Sequence, residues 1–241
     1  MSRRLPLLGL LGAGLLVVGA ATGCASGAAS APGSSSPGTT PDATAPVDAA
    51  QVEAAWLNGG TAIALVTWGS SSCAPRIDGQ AAVVEGTLDV TVSDPSGTAC
   101  TRDMAPRATF VSLPAGVDPT QSLDIAVRGA VKGTGTLAGL AAPEAPAEFT
   151  PSAGWVDDSL IAILTYGSSS CLPVVETVTT QGDTVAVGFA TPPADQVCTL
   201  DMAPQLTLAD VSGAEASDAT SLTLSGGGVT VQGSVPILGT R

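Results

Sequence analysis

Apolar positions in this chain fall into short runs cut by glycine, proline and polar breaks, a pattern that predicts strands. Thr61–Trp68 (TAIALVTW) is an unbroken run of β formers between turn signals and predicts a buried strand. Thr87–Val92 alternates instead, placing Leu88, Val90 and Val92 on one face; with Arg76–Val84 across Glu85-Gly86 it predicts a hairpin. Ala108–Leu113 and Leu123–Val127 predict two more strands, and Gly133–Leu140 has room for another. The same series then recurs. Leu160–Tyr166 predicts a strand, and Val174–Thr180 and Thr184–Ala190 a hairpin around Gln181-Gly182-Asp183 with Val185, Val187 and Phe189 on one face. Leu206–Val211, Ser221–Leu224, Val229–Val231 and Val235–Leu238 complete it.

The recurrence is literal around two motifs. Gly69-Ser70-Ser71-Ser72-Cys73-Ala74-Pro75 returns as Gly167-Ser168-Ser169-Ser170-Cys171-Leu172-Pro173. Cys100-Thr101-Arg102-Asp103-Met104-Ala105-Pro106 returns as Cys198-Thr199-Leu200-Asp201-Met202-Ala203-Pro204. The copies are offset by 98 positions, and each second cysteine follows its first by 27. A fixed period marks an internal duplication. The expected fold is all-β: a tandem of two small antiparallel β-sandwich or open-barrel domains with one disulfide each. Repeat 1 spans 51–141, a linker with Glu144, Glu148, Pro143 and Pro146 covers 142–150, and repeat 2 spans 151–241.

Comparing the copies separates what this chain kept from what it let drift. Kept are Trp56/Trp155, the first strand, the serine turn, the cysteines, Pro75/Pro173 and the Asp103/Asp201 run. Arg76 (Val174), Arg102 (Leu200), Arg107 (Gln205) and the Asp157-Asp158 pair are not. The kept set is what a fold needs; the drifting set is what a site would need. Equal spacing predicts bridges Cys73–Cys100 and Cys171–Cys198, each closed within its own repeat. A four-cysteine zinc site is the competing reading, but it lacks any C-x-x-C pair and any histidine. The serines read as tight polar turns, since a serine nucleophile needs a base and the chain has no histidine and one lysine, Lys132. Asp103 and Asp201 are expected to accept backbone N–H bonds at a bend, and Met104 to plug the core. Trp56, Trp68, Trp155 and Tyr166 read as core aromatics, with a sugar-stacking platform as the alternative. Clustered acids could recruit calcium, yet no alternate-position acid pattern recurs in both copies. No catalytic residue, metal or cofactor is assigned.

Composition bounds the setting. The 241 residues carry 21 acids against 8 basic side chains, and Arg3 and Arg4 sit in an N-terminal leader. Such a surface repels nucleic acid. Aromatics are only 3%, so small branched side chains must fill the cores and a disulfide matters more. Residues 1–23 read as a secretory signal: Arg3-Arg4, an apolar Leu5–Ala21, then small residues before Cys24. Ala21-Thr22-Gly23-Cys24 resembles a bacterial lipobox, which implies lipidation of Cys24 and membrane attachment through that lipid. Residues 24–50, rich in Ala, Ser, Gly, Pro and Thr, read as a disordered tether.

With both motifs in view, the chain is similar to small exported proteins, mostly lipoproteins, of high-G+C Gram-positive bacteria. These carry a G-S-S-S-C-x-P turn and a downstream C-x-x-D-x-A-P run. The resemblance covers roughly 56–113 and 155–211, matches all four cysteines, and departs at Ala74 and Leu172, where proline is more usual. It implies an address on the extracytoplasmic face of the cell membrane and a stapled tandem, and no activity. The expected function is a non-enzymatic binding or envelope-interaction module with a protein or glycan partner. The alternatives are an extracellular protease inhibitor presenting Gly69–Pro75 and a carboxylate-dependent glycan hydrolase.

Overall fold

The computed structural model describes residues 50–241 other than 98, 215, 217, 230 and 232. The expected leader, Cys24 and nearly all of the tether lie outside the described residues. In chain order the strands of the first half are β1 (Ala50–Gln51), β2 (Glu53–Leu57), β3 (Ala62–Gly69), β4 (Arg76–Ile77), β5 (Ala82–Val84), β6 (Thr87–Ser93), β7 (Ala105–Ser112), β8 (Leu123–Gly129) and β9 (Gly133–Leu137). Those of the second half are β10 (Ser152–Trp155), β11 (Leu160–Gly167), β12 (Val175–Gln181), β13 (Thr184–Phe189), β14 (Ala203–Asp210), β15 (Ser221–Gly226) and β16 (Val235–Leu238). One 3-10 turn, Asn58–Gly60, joins β2 to β3 with positive φ at all three residues, which is why two of them are glycine. All described regular structure is otherwise β, as the hydropathy pattern requires.

The duplication extends to register. β3 pairs antiparallel with β7 from Ala62↔Ser112 to Gly69↔Ala105, and β11 pairs with β14 from Leu160↔Asp210 to Gly167↔Ala203, the same register at the cysteine offset. β2 and β10 are the antiparallel partners of β3 and β11. Val229 and Val231 belong to no strand. The expectation of purely antiparallel sheets is corrected. β6 pairs parallel with β8, β13 with β15, β10 with β16 and β1 with β9. The cause is the path: between β6 and β8 the chain crosses to the other sheet to form β7, so it returns in the same direction. Parallel neighbours need such a crossover, whereas tight hairpins give antiparallel ones.

The sheets stack in layers with three apolar fills. Ile63 and Leu65 of β3 pack with Trp56, Leu88, Val90, Val92, Ile125 and Val127 inside the first half. Ile161 and Ile163 of β11 pack with Val185, Val187, Phe189, Leu222 and Leu224 inside the second. The other faces of the same strands meet each other: Ala55, Leu57, Ala62 and Ala64 lie against Ala162 and Leu164. This explains the unbroken apolar runs, because β3 and β11 are buried on both sides. Small side chains allow close approach: a Cβ on Gly154 would stand 2.2 Å from the Trp56 carbonyl oxygen. The described residues therefore form one compact unit through a shared layer.

Gly154 lies beside Trp56, and the Asn58 amide donates to Ser152 Oγ at 2.9 Å, so β2 and β10 run in opposite directions alongside one another. The equivalent strands of the two repeats being antiparallel, their serine turns lie at opposite ends of the stack.

Candidate functional site: two stapled loop ends

Each loop end begins where three serines halt the first long strand, their hydroxyls offering the backbone an alternative to the ladder. The turn closes with Cys73 N–H donating to Ser70 C=O and Cys171 N–H to Ser168 C=O, both at 3.2 Å. The disulfides Cys73–Cys100 and Cys171–Cys198 tie it to the segment entering β7 or β14. Thr101 N–H donates to Ser72 Oγ, and Thr199 N–H to Ser170 Oγ, at 3.0 Å each. Asp103 Oδ1 accepts Ser71 N–H at 3.1 Å and the Thr101 hydroxyl; Asp201 Oδ1 accepts Ser169 N–H at 3.0 Å and the Thr199 hydroxyl. Thr109 Oγ1 donates to the Pro75 carbonyl at 2.9 Å and Thr207 Oγ1 to that of Pro173 at 3.4 Å.

These contacts set the electrostatics. Donors from Ser71 and Thr101 hold Asp103 at about 2, and donors from Thr199 and Ser169 hold Asp201 at about 2, against an ordinary 3.8. Both carboxylates are exposed and bonded to backbone, as the expected bend role requires. A carboxylate of so low a basicity, with its oxygen already engaged, is a poor general base near neutral pH. The two acids also stand at opposite ends and share no cleft, which a paired-carboxylate hydrolase needs.

Arg107 and Gln205 correct the kept-versus-drifting division. Arg107 is buried and its Nη1 donates to the Cys73 carbonyl at 2.8 Å, its Nη2 to the Trp68 carbonyl at 3.3 Å. Gln205 Nε2 donates to the Cys171 carbonyl at 2.9 Å and the Ser168 carbonyl at 2.5 Å. The residue type changed while its task, donating to the turn carbonyls from beneath, did not. Glycine before the serines makes room: a Cβ on Gly69 would meet the Arg107 guanidinium carbon at 2.6 Å.

The aromatic set divides. Trp56 is fully buried with Nε1 donating to the Ala138 carbonyl at 2.7 Å, and Trp155 is buried with the Arg241 guanidinium 4.8 Å from its ring centroid. Tyr166 is half-buried under Phe149, ring centroids 5.5 Å apart, and bonded to Asn58. Trp68 departs from the core reading with 51% of its surface exposed. Met104 does not plug the core either; it and Met202 stand out at the loop ends.

Beyond the scaffold the loop ends differ. Repeat 2 exposes Leu172, Val174, Val197, Leu200 and Met202, and a groove of about 400 Å³ runs past Leu172, Pro173, Val174, Pro192 and Pro193 beside Cys171–Cys198. At the matching positions repeat 1 has Ala74, Arg76 and Arg102, all exposed. The drifting pairs Arg76/Val174 and Arg102/Leu200 thus fall at the stapled loop end of their own repeat, all of them exposed. A larger cavity of about 630 Å³, lined in part by Glu53, Asp124, Trp155 and Arg241, contains none of the repeated motif. There, burial and then the nearby Asp157 raise the Glu53 carboxyl, opposed by a bond to Trp68.

No family model matches the chain, and no curated protein or solved structure is significantly similar to it.

Proposed function

We propose that this is a lipid-anchored, non-enzymatic binding protein of the bacterial cell surface, in which the two repeats are fused through the alanine-rich layer. Cys24 carries the anchor, and 24–50 holds the stack away from the bilayer. One observation carries the reading. The residues shared by the two loop ends are spent on each other, Asp103 on Ser71 and Thr101, Asp201 on Ser169 and Thr199. Arg107 and Gln205 differ but do one task from beneath, whereas the other differing residues, Ala74/Leu172, Arg76/Val174 and Arg102/Leu200, are exposed. A scaffold held constant beneath changing exposed side chains is how binding proteins are built.

The test is binding of the labelled protein to isolated envelopes of the cells that make it. Saturable binding, displaced by unlabelled protein and abolished by disulfide reduction, is expected. Binding that never saturates, or that is indifferent to reduction, would sink the reading.

A second reading is protease inhibition, favoured by the bracing of Gly69–Pro75 from beneath by Arg107 and from the side by Cys100. Titration against secreted serine and cysteine proteases decides it: inhibition lost on reduction supports it, and no inhibition by the intact protein ends it.

A further inference from the structure

We propose that the repeat 2 loop end of one molecule binds the repeat 1 loop end of a second copy, so that copies associate head to tail. The inference rests on the reading of the loop ends as binding surfaces and names their partner.

The repeat 2 end is an apolar knob. Val197 is 89% exposed, Leu200 wholly so, and Leu172, Val174 and Met202 each more than half. Unpartnered apolar side chains clustered in this way mark an interaction site. The exposed charges beside them are Glu176, Asp195 and Asp201, all of them acidic. Residues 151–241 hold nine acids against the single Arg241, so the knob sits in an acidic field that favours a partner with cationic side chains. An anionic bilayer is disfavoured on the same ground.

The other end of the chain has the complementary chemistry. Around Cys73–Cys100 stand Met104, Arg76 and Arg102, with the acids Asp94 and Asp103, the latter's Oδ1 already engaged by Ser71 and Thr101. Methionine and arginine are enriched in protein interfaces, and arginine stems cover apolar surface while their heads reach carboxylates. Residues 51–141 hold five basic residues against eight acids, so this half is the less acidic of the two and the one that supplies cations. At physiological salt screening acts over about 8 Å, so local complementarity outweighs the repulsion between two acidic bodies. Because the two loop ends lie at opposite ends of the stack, one molecule engages two neighbours, and the contact is heterologous and does not close on itself as a two-fold dimer.

The test uses the full chain in the cells that make it, with the photoreactive residue p-benzoylphenylalanine in place of Val197. Irradiation is expected to give a ladder of cross-linked copies extending past the dimer. Arg102→Glu with Met104→Glu should weaken the ladder roughly tenfold or more, as loss of an interface centre does. These side chains are exposed, and circular dichroism of the purified variant checks its fold. A second arm keeps the proposal testable: a probe-bearing chain with the Arg102 and Met104 changes is co-expressed with a differently tagged chain carrying Leu172→Glu and Leu200→Glu. Each then keeps one working end, and the product should stop at a dimer of the two tags. Products ending at a same-tag dimer in the unmutated chain, cross-links to lipid, or cross-links to a different protein would each overturn the proposal. The last would leave the binding reading standing, whereas absence of saturable envelope binding removes that reading separately.

Discussion

At the scale of single residues, the loop ends are held by charge-assisted hydrogen bonds of exposed aspartates. The folded state depresses Asp103 and Asp201 to about 2 from an ordinary 3.8. Their contribution is therefore fully present above the ordinary value and is lost as pH falls through about 2. Carboxyl-carbon NMR titration should place both midpoints near 2; midpoints near 3.8 would mean that the turns do not hold them. Arg107 makes a different prediction. Removing it by Arg107→Ala leaves the Cys73 and Trp68 carbonyls without their buried donor, at a cost of about 1–3 kcal/mol in chemical denaturation. Arg107→Gln should be close to neutral, because Gln205 already does this work in repeat 2. Most of this was legible. Cysteine spacing marked the bridges and the second copy marked Asp103 as structural. Arg107 was misjudged because a donor role can survive a change of residue type, which letter-by-letter comparison does not register. Trp68 and Met104 were misjudged because hydrophobic character does not tell a core side chain from an exposed one at a strand end.

Among the elements, β3 and β11 decide the architecture. Their unbroken apolar runs read as buried strands, but a run without alternation does not say what covers each face. The answer is a repeat's own core on one side and the other repeat on the second. The hydropathy pattern does not reveal β2 and β10, since stretches such as Ser152-Ala153-Gly154 have small, weakly β-prone residues. Those small residues are what the contact needs. Gly154→Val would drive a side chain into the Trp56 carbonyl and should destabilise the protein by about 1–3 kcal/mol or more, seen as a lowered melting temperature. An unchanged melting temperature would show that β2 and β10 do not meet there. Parallel pairing was hidden for a related reason: alternation reveals which face is buried and is silent on the direction of the neighbouring strand.

For the whole molecule, the shared layer makes two sequence repeats one folding unit. Trp56 reports on the first core and Trp155 on the second, so both should lose their native signal at one denaturant midpoint. Leu164→Ala, within the shared layer, should lower that common midpoint by the equivalent of about 2–5 kcal/mol. Two separated transitions would mean that the halves fold alone. The sequence announced the duplication through its period, yet contact between the copies depends on alanines and a glycine that carry no pattern of their own.

The proposed protein displays loop ends, stapled within each repeat, from a lipid anchor on Cys24. The most direct test is intact-mass spectrometry with peptide mapping of the protein from native membranes, with and without reductant. The predicted result is a diacylglyceryl group on Cys24 and two disulfide-linked peptide pairs, Cys73 with Cys100 and Cys171 with Cys198. Free thiols at Cys73 and Cys171, a bridge between the repeats, or an unmodified Cys24 would contradict it.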